Sequence, residues 1–537
     1  MSILVENKTE YLQARRRPGT DGRDRGPVAA SRTRSLAPRL ADFAVAGLTA
    51  VGVAARFYTS SKLWLDEALS VNIASLPLSE VFPALRQDGH PPLYYVLLHF
   101  WMMLVGSGDV AVRALSGIFG VAALPLSWVA GRRLAGRSGA RWALLVVALS
   151  PYCVRYSTET RMYSLVMFLV LGGYLLLADA LRSPAVWRFV GLTLVSGLLL
   201  LSHYWSFWLL GSVALMLIWR CWRIPHECSR SLCCLAAVAA GGVMFVPWLG
   251  SFLHQTHHTG TPWGEPFGPF KLLSVTFADM FGSAAYSKGV LASYLAVVLL
   301  LVALFVVRVR GREVLVDLYG APPVCPEIAM CALTAALGWA ASEVAGAAYQ
   351  SRYAAVFVPL LLISIAVGIA RMPGVPRVAL GGLLLGLSLL GIRWINHQFE
   401  RTQSSEVVAA IIDVARPGDV VVYCPDQLGP AYAREMPEGL VELAYPTLED
   451  PDRIDWVDYA ERNSGADPEQ VAGEVQAVAG DRTIFVVWNA GFRTFDKQCE
   501  RLVAAAGAGR SRVHVVRPNP GRYFEPAYLT ALRVPEG

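Results

Sequence analysis

Apolar residues in this chain come in long unbroken runs, not in the alternating or helical stripes of a water-soluble fold. Runs of near-spanning length cover Ala41–Tyr58, Val110–Leu134, Trp142–Tyr156, Met162–Leu181, Phe189–His203, Trp205–Trp222, Leu232–Leu253, Val290–Val307, Ile328–Ala347, Tyr353–Ala370 and Val378–Ile395. They predict about 11 transmembrane helices. Two further segments stand between the first two runs. Ser79–Gln87 has helical spacing of Val81 and Leu85 among polar neighbours. Pro92–Gly106 is apolar but short for a span, a length that lies in the membrane interface. Charge decides its place. Arg132, Arg133, Arg137 and Arg141 form a basic loop, which belongs on the cytoplasmic side. With the Arg-rich N-terminal arm on that side too, one span leads out and one leads back. Pro92–Gly106 is then a juxtamembrane helix on the outer face. The same alternation puts Arg182/Arg188, Arg220/Arg223/Arg230, Arg308/Arg310/Arg312 and Arg371/Arg377 on the side of the arm and leaves the C-terminal region outside.

From about Thr402 the pattern changes, and charges and prolines return. Helical stretches (Ser405–Ala415, Glu469–Ala479, Phe495–Ala506) alternate with short apolar runs (Asp419–Cys424, Thr483–Trp488, Val513–Val516, Ala527–Val534). This predicts a small soluble α/β domain. The fold class expected is a mainly α membrane protein with an appended α/β domain. Its parts are a disordered cytoplasmic arm over residues 1–37, a transmembrane domain over 38–400 and an extracytoplasmic domain over 401–537. The long basic lead-in favours an uncleaved anchor over a removable signal peptide.

Composition supports this reading. Charged residues make up 16% of the chain and hydrophobic ones 54%, with a mean hydropathy of +0.43. A soluble domain carries about 25% charged residues. Much of the net charge of +6 sits in the arm and short loops, so it is no nucleic-acid signal. The nine cysteines show no CxxC spacing and imply neither a zinc site nor a disulfide framework, although Cys424 and Cys499 share the C-terminal region and are free to pair or to stay apart. There is no Gly-rich phosphate loop, so no nucleotide chemistry is assigned.

The predicted topology gathers the polar residues of interest on the outer side: Asp66, Glu67, Asp88, His90, Glu159, Arg161, His203, His254, His257, His258, Glu265 and Arg352. Charges at a membrane surface are costly unless used or paired. Asp66-Glu67 suits a general base, a metal-ligand pair, or an ion pair with Lys62 or Arg161. Arg352, at the outer end of a span, suits a phosphate held bidentately, and snorkelling explains it equally well. His90-Pro91-Pro92 fixes an extended turn. Tyr94, Tyr95 and Tyr204 fit an interfacial aromatic belt without any function. The three histidines at 254–258 lack a carboxylate partner in their segment, and a solvated loop is expected there; Asp88 and Glu265 read as ordinary polar loop residues.

Taken together, Asp66-Glu67 in the first outer loop, His90-Pro91-Pro92-Leu93-Tyr94-Tyr95 before a juxtamembrane helix, Ser150-Pro151 followed by Glu159-Thr160-Arg161-Met162-Tyr163, the His203-Tyr204 pair and Arg352-Tyr353 opening a late span resemble the GT-C glycosyltransferases. The resemblance is to the bacterial branch of glycosyltransferase family 39, similar to dolichyl-phosphate-mannose protein mannosyltransferases, and it covers roughly residues 40–400. It implies a GT-C fold in a bacterial plasma membrane, multi-pass, with outer-face juxtamembrane helices. It implies inverting transfer of a sugar from a polyprenyl-phosphate donor to a glycan, glycolipid or protein acceptor of the cell envelope. Asp66 would be the base, Glu67 would orient Asp66 or the acceptor, and Glu159 would be the second acidic residue. Arg352, Arg161, His90, Tyr94, His203 and Tyr353 would line the donor site. No cofactor is implied; a divalent metal is compatible, but no ligand set is evident. The Arg-over-Lys bias and the Ala, Gly and Val richness suggest a high-GC genome, and with it mannose or arabinose as the sugar. Two other classes stay open: a lipid-linked sugar transporter or flippase, which would show polar or broken helices at mid-membrane, and a membrane scaffold, in which Asp66 would be silent.

Overall fold

The computed structural model describes residues 37–261, 264, 267–283, 285–310, 313–317 and 322–535. The arm through residue 36, Glu265 and Arg312 lie outside the described residues. By contacts the chain forms two compact units, Met1–Ala44 and Val45–Gly537. Of the first, the structure describes the opening of helix Ala37–Ala55; the second holds the other elements.

Helices fill most of the described chain up to residue 398. Six are long and apolar enough to cross a membrane, and Leu40–Ala55, Leu93–Val105, Val186–Leu200 and Val358–Arg371 are shorter apolar helices. The protein is therefore a multi-pass membrane protein. Local chemistry sets the breaks. The run Asp109–Ala148 is interrupted at Ala135 and Gly136, where Gly136 takes a φ of 62°, so the basic stretch from Arg132 to Arg141 straddles a kink. The span expected over Trp142–Tyr156 instead ends at Ala148. Ser150 caps a separate short helix, Pro151–Ser157, its side chain accepting from Cys153 N with Pro151 in the first turn. Arg352 and Tyr353 do not open the membrane helix. They sit on the 3₁₀ turn Ser351–Val356, and the helix begins at Val358 with Pro359 in its first turn. The run expected to stay helical to Val307 turns at Val306–Arg310 into a hairpin with Glu313–Asp317.

Leu78–Asp88 and Leu93–Val105 form as the short helices expected between the first two long ones. Asp66 and Glu67, expected in a loop, lie in the first turn of a ten-residue helix, Leu65–Ala74. The C-terminal region builds a five-stranded sheet in the order Val441–Ala444, Val420–Cys424, Ile484–Trp488, Tyr528–Arg533, Ser511–Val516. The first three strands are parallel, and Tyr528–Arg533 runs antiparallel to both of its neighbours, Ile484–Trp488 and Ser511–Val516. Its core takes in Trp64, Leu65 and Leu69 from the first short helix and its approach, so the sheet is seated on the segment that carries Asp66. Cys424 is joined to Cys499, a pairing the sequence left open.

Candidate active site

Adjacent helical residues point about 100° apart, and this separates the two carboxylates. Glu67 turns inward and is fully buried. Arg113 donates from Nε to its Oε1 (2.8 Å) and from Nη2 to its Oε2 (2.7 Å). Arg401 Nη1 donates to Oε2 (2.8 Å) and the Thr160 amide to Oε1 (2.9 Å). Burial would raise the Glu67 carboxyl, but Arg113, Arg401 and these hydrogen bonds hold it well below the usual carboxylate range. Glu67 is thus a buried anion that ties three segments together. Arg401 completes the tie by donating to the Thr158 carbonyl (2.6 Å) and hydroxyl (2.7 Å).

Asp66 turns the other way, into an alternating line of charge. Asp88 Oδ2 accepts from His90 Nδ1 (2.8 Å) and from the Tyr95 hydroxyl (3.0 Å). That fixes the His90 tautomer and leaves Nε2 to accept from Arg161 Nη2 (2.7 Å). Arg161 Nη1 donates to Tyr95 OH (3.0 Å) and Ser70 Oγ (3.1 Å), and Nη2 lies 3.9 Å from Asp66 Oδ2. Arg352 Nη1 pairs with the same Asp66 oxygen at 2.8 Å. The sequence Asp88–His90–Arg161–Asp66–Arg352 is continuous, and every member except His90 is a buried or nearly buried charge. Burial opposes the anionic form of Asp88, yet His90, Arg161 and Tyr95 keep its carboxyl below the ordinary value.

Two cavities meet at Arg352. One, of about 410 Å³, is lined by Asp66 and Arg352 together with C-terminal residues, among them Gln427, Trp456 and Glu525. The other, of about 150 Å³, is lined by Arg352, Arg155, Glu159, Tyr152, Gln350 and Asp279 among others. Trp64, Gln350, Arg352 and Phe524 line both. Among the buried polar atoms here that meet no hydrogen-bond partner among the described residues are the Trp64 indole N–H and Glu159 Oε1. Buried polar groups without a partner are costly. The other Glu159 oxygen accepts from Arg155 Nε (3.0 Å).

The remaining expected residues fall into two groups. His203, buried, accepts from the Trp205 amide at 3.1 Å and has ring neighbours in Tyr163 (5.7 Å) and Tyr353 (5.5 Å), so it belongs to the aromatic wall behind Arg352. Tyr94 is turned to Ser116 Oγ (2.8 Å), whose own hydroxyl donates to the Arg161 carbonyl (3.0 Å). It braces the site from behind. His258 lies beside Asp458 on the surface (3.0 Å). Among the described residues no group of three or more His, Cys, Asp or Glu is placed to hold a metal ion. Sequence reasoning missed Arg113, Arg155, Asp279, Arg401, Glu525 and Trp64. Arg113 carried a usable signal, a charge within an otherwise apolar run. Arg401 and Glu525 come from the far end of the chain and carried none.

ArnT from Cupriavidus metallidurans in the apo state matches with a TM-score of 0.57 over 93% of this chain and 100% of that one, at 14% identity. The chain has the GT-C fold. ArnT from the same organism bound to undecaprenyl phosphate matches this GT-C fold with a TM-score of 0.54, covering 94% and 100% of the two chains at 13% identity. The family model described as dolichyl-phosphate-mannose-protein mannosyltransferase matches residues 89–250, the stretch of the GT-C fold that carries His90, Glu159, Arg161 and His203. No curated protein sequence matches the chain.

Proposed function

We propose that the chain is an inverting glycosyltransferase that moves a sugar, mannose or arabinose, from a polyprenyl-phosphate donor to a cell-envelope acceptor at the outer face of a bacterial plasma membrane. The observation that carries this reading is the Asp66–Arg352 pair, 2.8 Å apart where the two cavities join. The reaction needs a base beside the acceptor and a cation beside the leaving phosphate, and these two side chains supply them side by side. The acceptor oxygen attacks the anomeric carbon as the carbon–oxygen bond to phosphate breaks. The acceptor proton passes to Asp66, and the phosphate leaves with the bonding electrons toward Arg352. A phosphate held by Arg352 competes with Asp66 for the same guanidinium, so donor binding frees the carboxylate for its proton. Arg155, on the wall of the smaller cavity, adds positive charge on the phosphate side. Arg161, locked by His90 and Tyr95, holds the Asp66 carboxylate in place. Undecaprenyl phosphate in the ArnT structure supports a lipid-phosphate donor by analogy of fold. The topology that goes with this function has about 11 spans, the arm in the cytoplasm and the C-terminal domain outside.

The test offers radiolabelled polyprenyl-phosphate mannose and arabinose in turn to membranes carrying wild type or Asp66→Asn. Transfer by the wild type from one of them, reduced about 10²–10⁴-fold by Asp66→Asn at equal expression, is the expected result. Transfer that Asp66→Asn leaves intact refutes Asp66 as the base.

A further inference from the structure

The chain leaves strand Val420–Cys424 toward Val441–Ala444 on one side, and returns to its other side at Ile484–Trp488. Connections that diverge in this way open a crevice beyond the carboxyl ends of the central pair of strands, where open α/β sheets take ligands. Gln427 follows the first of these strands; Asn489 and Phe492 follow the second. All three line the 410 Å³ cavity that also holds Asp66 and Arg352, a volume within the range of small-ligand sites. The ligand edge of the sheet and the charged pair of the membrane helices therefore share one space.

The walls on the C-terminal side have a definite chemistry. Trp456 is partly buried and lies 4.7 Å from the Tyr459 ring; Phe524 is 53% exposed and meets Trp64 edge-on at 5.4 Å. Gln427 donates to Tyr459 OH (3.1 Å), and Asn489 accepts from the Gly491 amide (2.6 Å), so both amides are held rigidly. Among the described residues of this lining the C-terminal side contributes no Lys or Arg. That is poor chemistry for a phosphate or an acidic ligand. The cavity opens at strand ends, whereas an extended peptide adds to a strand edge. Flat aromatic faces beside fixed amides and a carboxyl fit the CH faces and hydroxyls of a sugar ring.

Building on the glycosyltransferase reading above, we infer that the C-terminal α/β domain supplies the acceptor subsite of this cavity, that the subsite takes a neutral carbohydrate, and that Glu525 is the positioning residue that aims its hydroxyl at Asp66. Glu525 is buried, on the short strand Tyr523–Glu525, and its Oε2 accepts from the Leu65 amide (3.3 Å), one residue before Asp66. Burial, with Asp66 and Glu67 close by, pushes its carboxyl well above the ordinary value. A neutral Glu525 donates its O–H to an acceptor oxygen while the neighbouring Asp66 takes the proton.

The test is binding of a manno-trisaccharide, an arabino-trisaccharide and a threonine-containing peptide to the full chain in nanodiscs, read by saturation-transfer NMR, with undecaprenyl phosphate binding as the control for folding. At least one trisaccharide is expected to bind. Trp456→Ala, Phe524→Ala and Glu525→Leu should each weaken it about tenfold, Glu525→Gln should restore near-wild-type binding by keeping a neutral donor, and the lipid phosphate should bind Trp456→Ala, Glu525→Leu and Glu525→Gln as it binds the wild type, Phe524 being left out of this control because it also lines the smaller cavity. Binding of neither trisaccharide, preference for the peptide, or a trisaccharide affinity unchanged in all three disruptive variants overturns the inference. Asp66→Asn separates the two readings, because it should keep the trisaccharide even though it loses transfer. Trisaccharide binding without transfer in the wild type would count against the enzyme alone. Transfer with an unperturbed trisaccharide affinity in the variants would count against the subsite alone.

Discussion

Glu67→Gln should destabilise the protein severely, whereas Asp66→Asn, one residue away, should leave its stability nearly intact. The Glu67 carboxylate accepts two hydrogen bonds from Arg113, one from Arg401 and one from the Thr160 amide, with no exposure to water. A glutamine keeps one acceptor oxygen and turns an NH₂ toward guanidinium donors, while two arginines lose their counter-charge in a dry site. Removing one partner of a buried ion pair costs about 3–5 kcal/mol. In a domain of 150–250 residues each kcal/mol lowers Tm by about 2–4 °C, and in a longer chain by less, so a fall on the order of 5–10 °C is expected. Asp66 and Arg352 are 15% and 18% exposed and line the 410 Å³ cavity, and an asparagine keeps an acceptor oxygen for Arg352, so the loss is about 1 kcal/mol, that of an ordinary hydrogen bond. The assay is thermal unfolding of the detergent-purified variants at pH 7, followed by size exclusion after heating. The pH dependence has a definite sign. A depressed carboxyl contributes its stability fully above its unfolded value of about 4 and loses it as pH falls toward the folded value, so the wild type should weaken on the acid side by an increment that Glu67→Gln lacks. A Glu67→Gln Tm within about 2 °C of wild type would refute the buried-clamp argument.

Arg352→Lys keeps the charge but loses the planar fork, and should weaken undecaprenyl phosphate binding about tenfold in a titration, with unchanged affinity counting against a phosphate role. Arg401→Met removes one cation from the Glu67 clamp and should speed limited proteolysis between the last membrane helix and the sheet; a wild-type cleavage rate would show that the clamp does not hold the two together. Asp426 is pushed up to about 7 by burial, against the hydrogen bond it accepts from Tyr459 (2.5 Å). A raised carboxyl contributes stability below its unfolded pKa of about 4 and loses it as pH rises toward 7, by at most about 4 kcal/mol and less for a part-exposed group. Asp426→Asn should therefore flatten the stability profile between pH 4 and 7, and a slope identical to wild type would refute the shift.

The helices were legible because a membrane helix is written in one continuous run, and the eleven predicted spans all fall largely on helices. Their ends were less so. Ser150-Pro151 marks a cap as clearly as any pair in the chain, yet the apolar residues on either side of it read as one span. The strands Val420–Cys424 and Ile484–Trp488 were visible as apolar runs, whereas Val441–Ala444, with Glu442 in its middle, was not. In the site, Asp66, Glu67, Glu159, Arg161, His90 and Arg352 stood out as charges near apolar ends, but the division of labour between Asp66 and Glu67 did not. That division is set by partners 46 and 334 residues away from Glu67, and no local pattern encodes such distances.

The clamp on Glu67 bears on how this protein can be recombined. A chimera cut at residue 400, the boundary that the change of sequence character suggests, would bring in a foreign side chain at Arg401 while keeping the native Glu67, and would seat a new sheet against the old Trp64, Leu65 and Leu69. The unit that can be exchanged is discontinuous: the C-terminal region together with the stretch from Ser61 to Ala74, between relatives that keep Arg113. With the acceptor subsite proposed above, acceptor preference and the segment bearing Asp66 would have to travel between relatives as one piece.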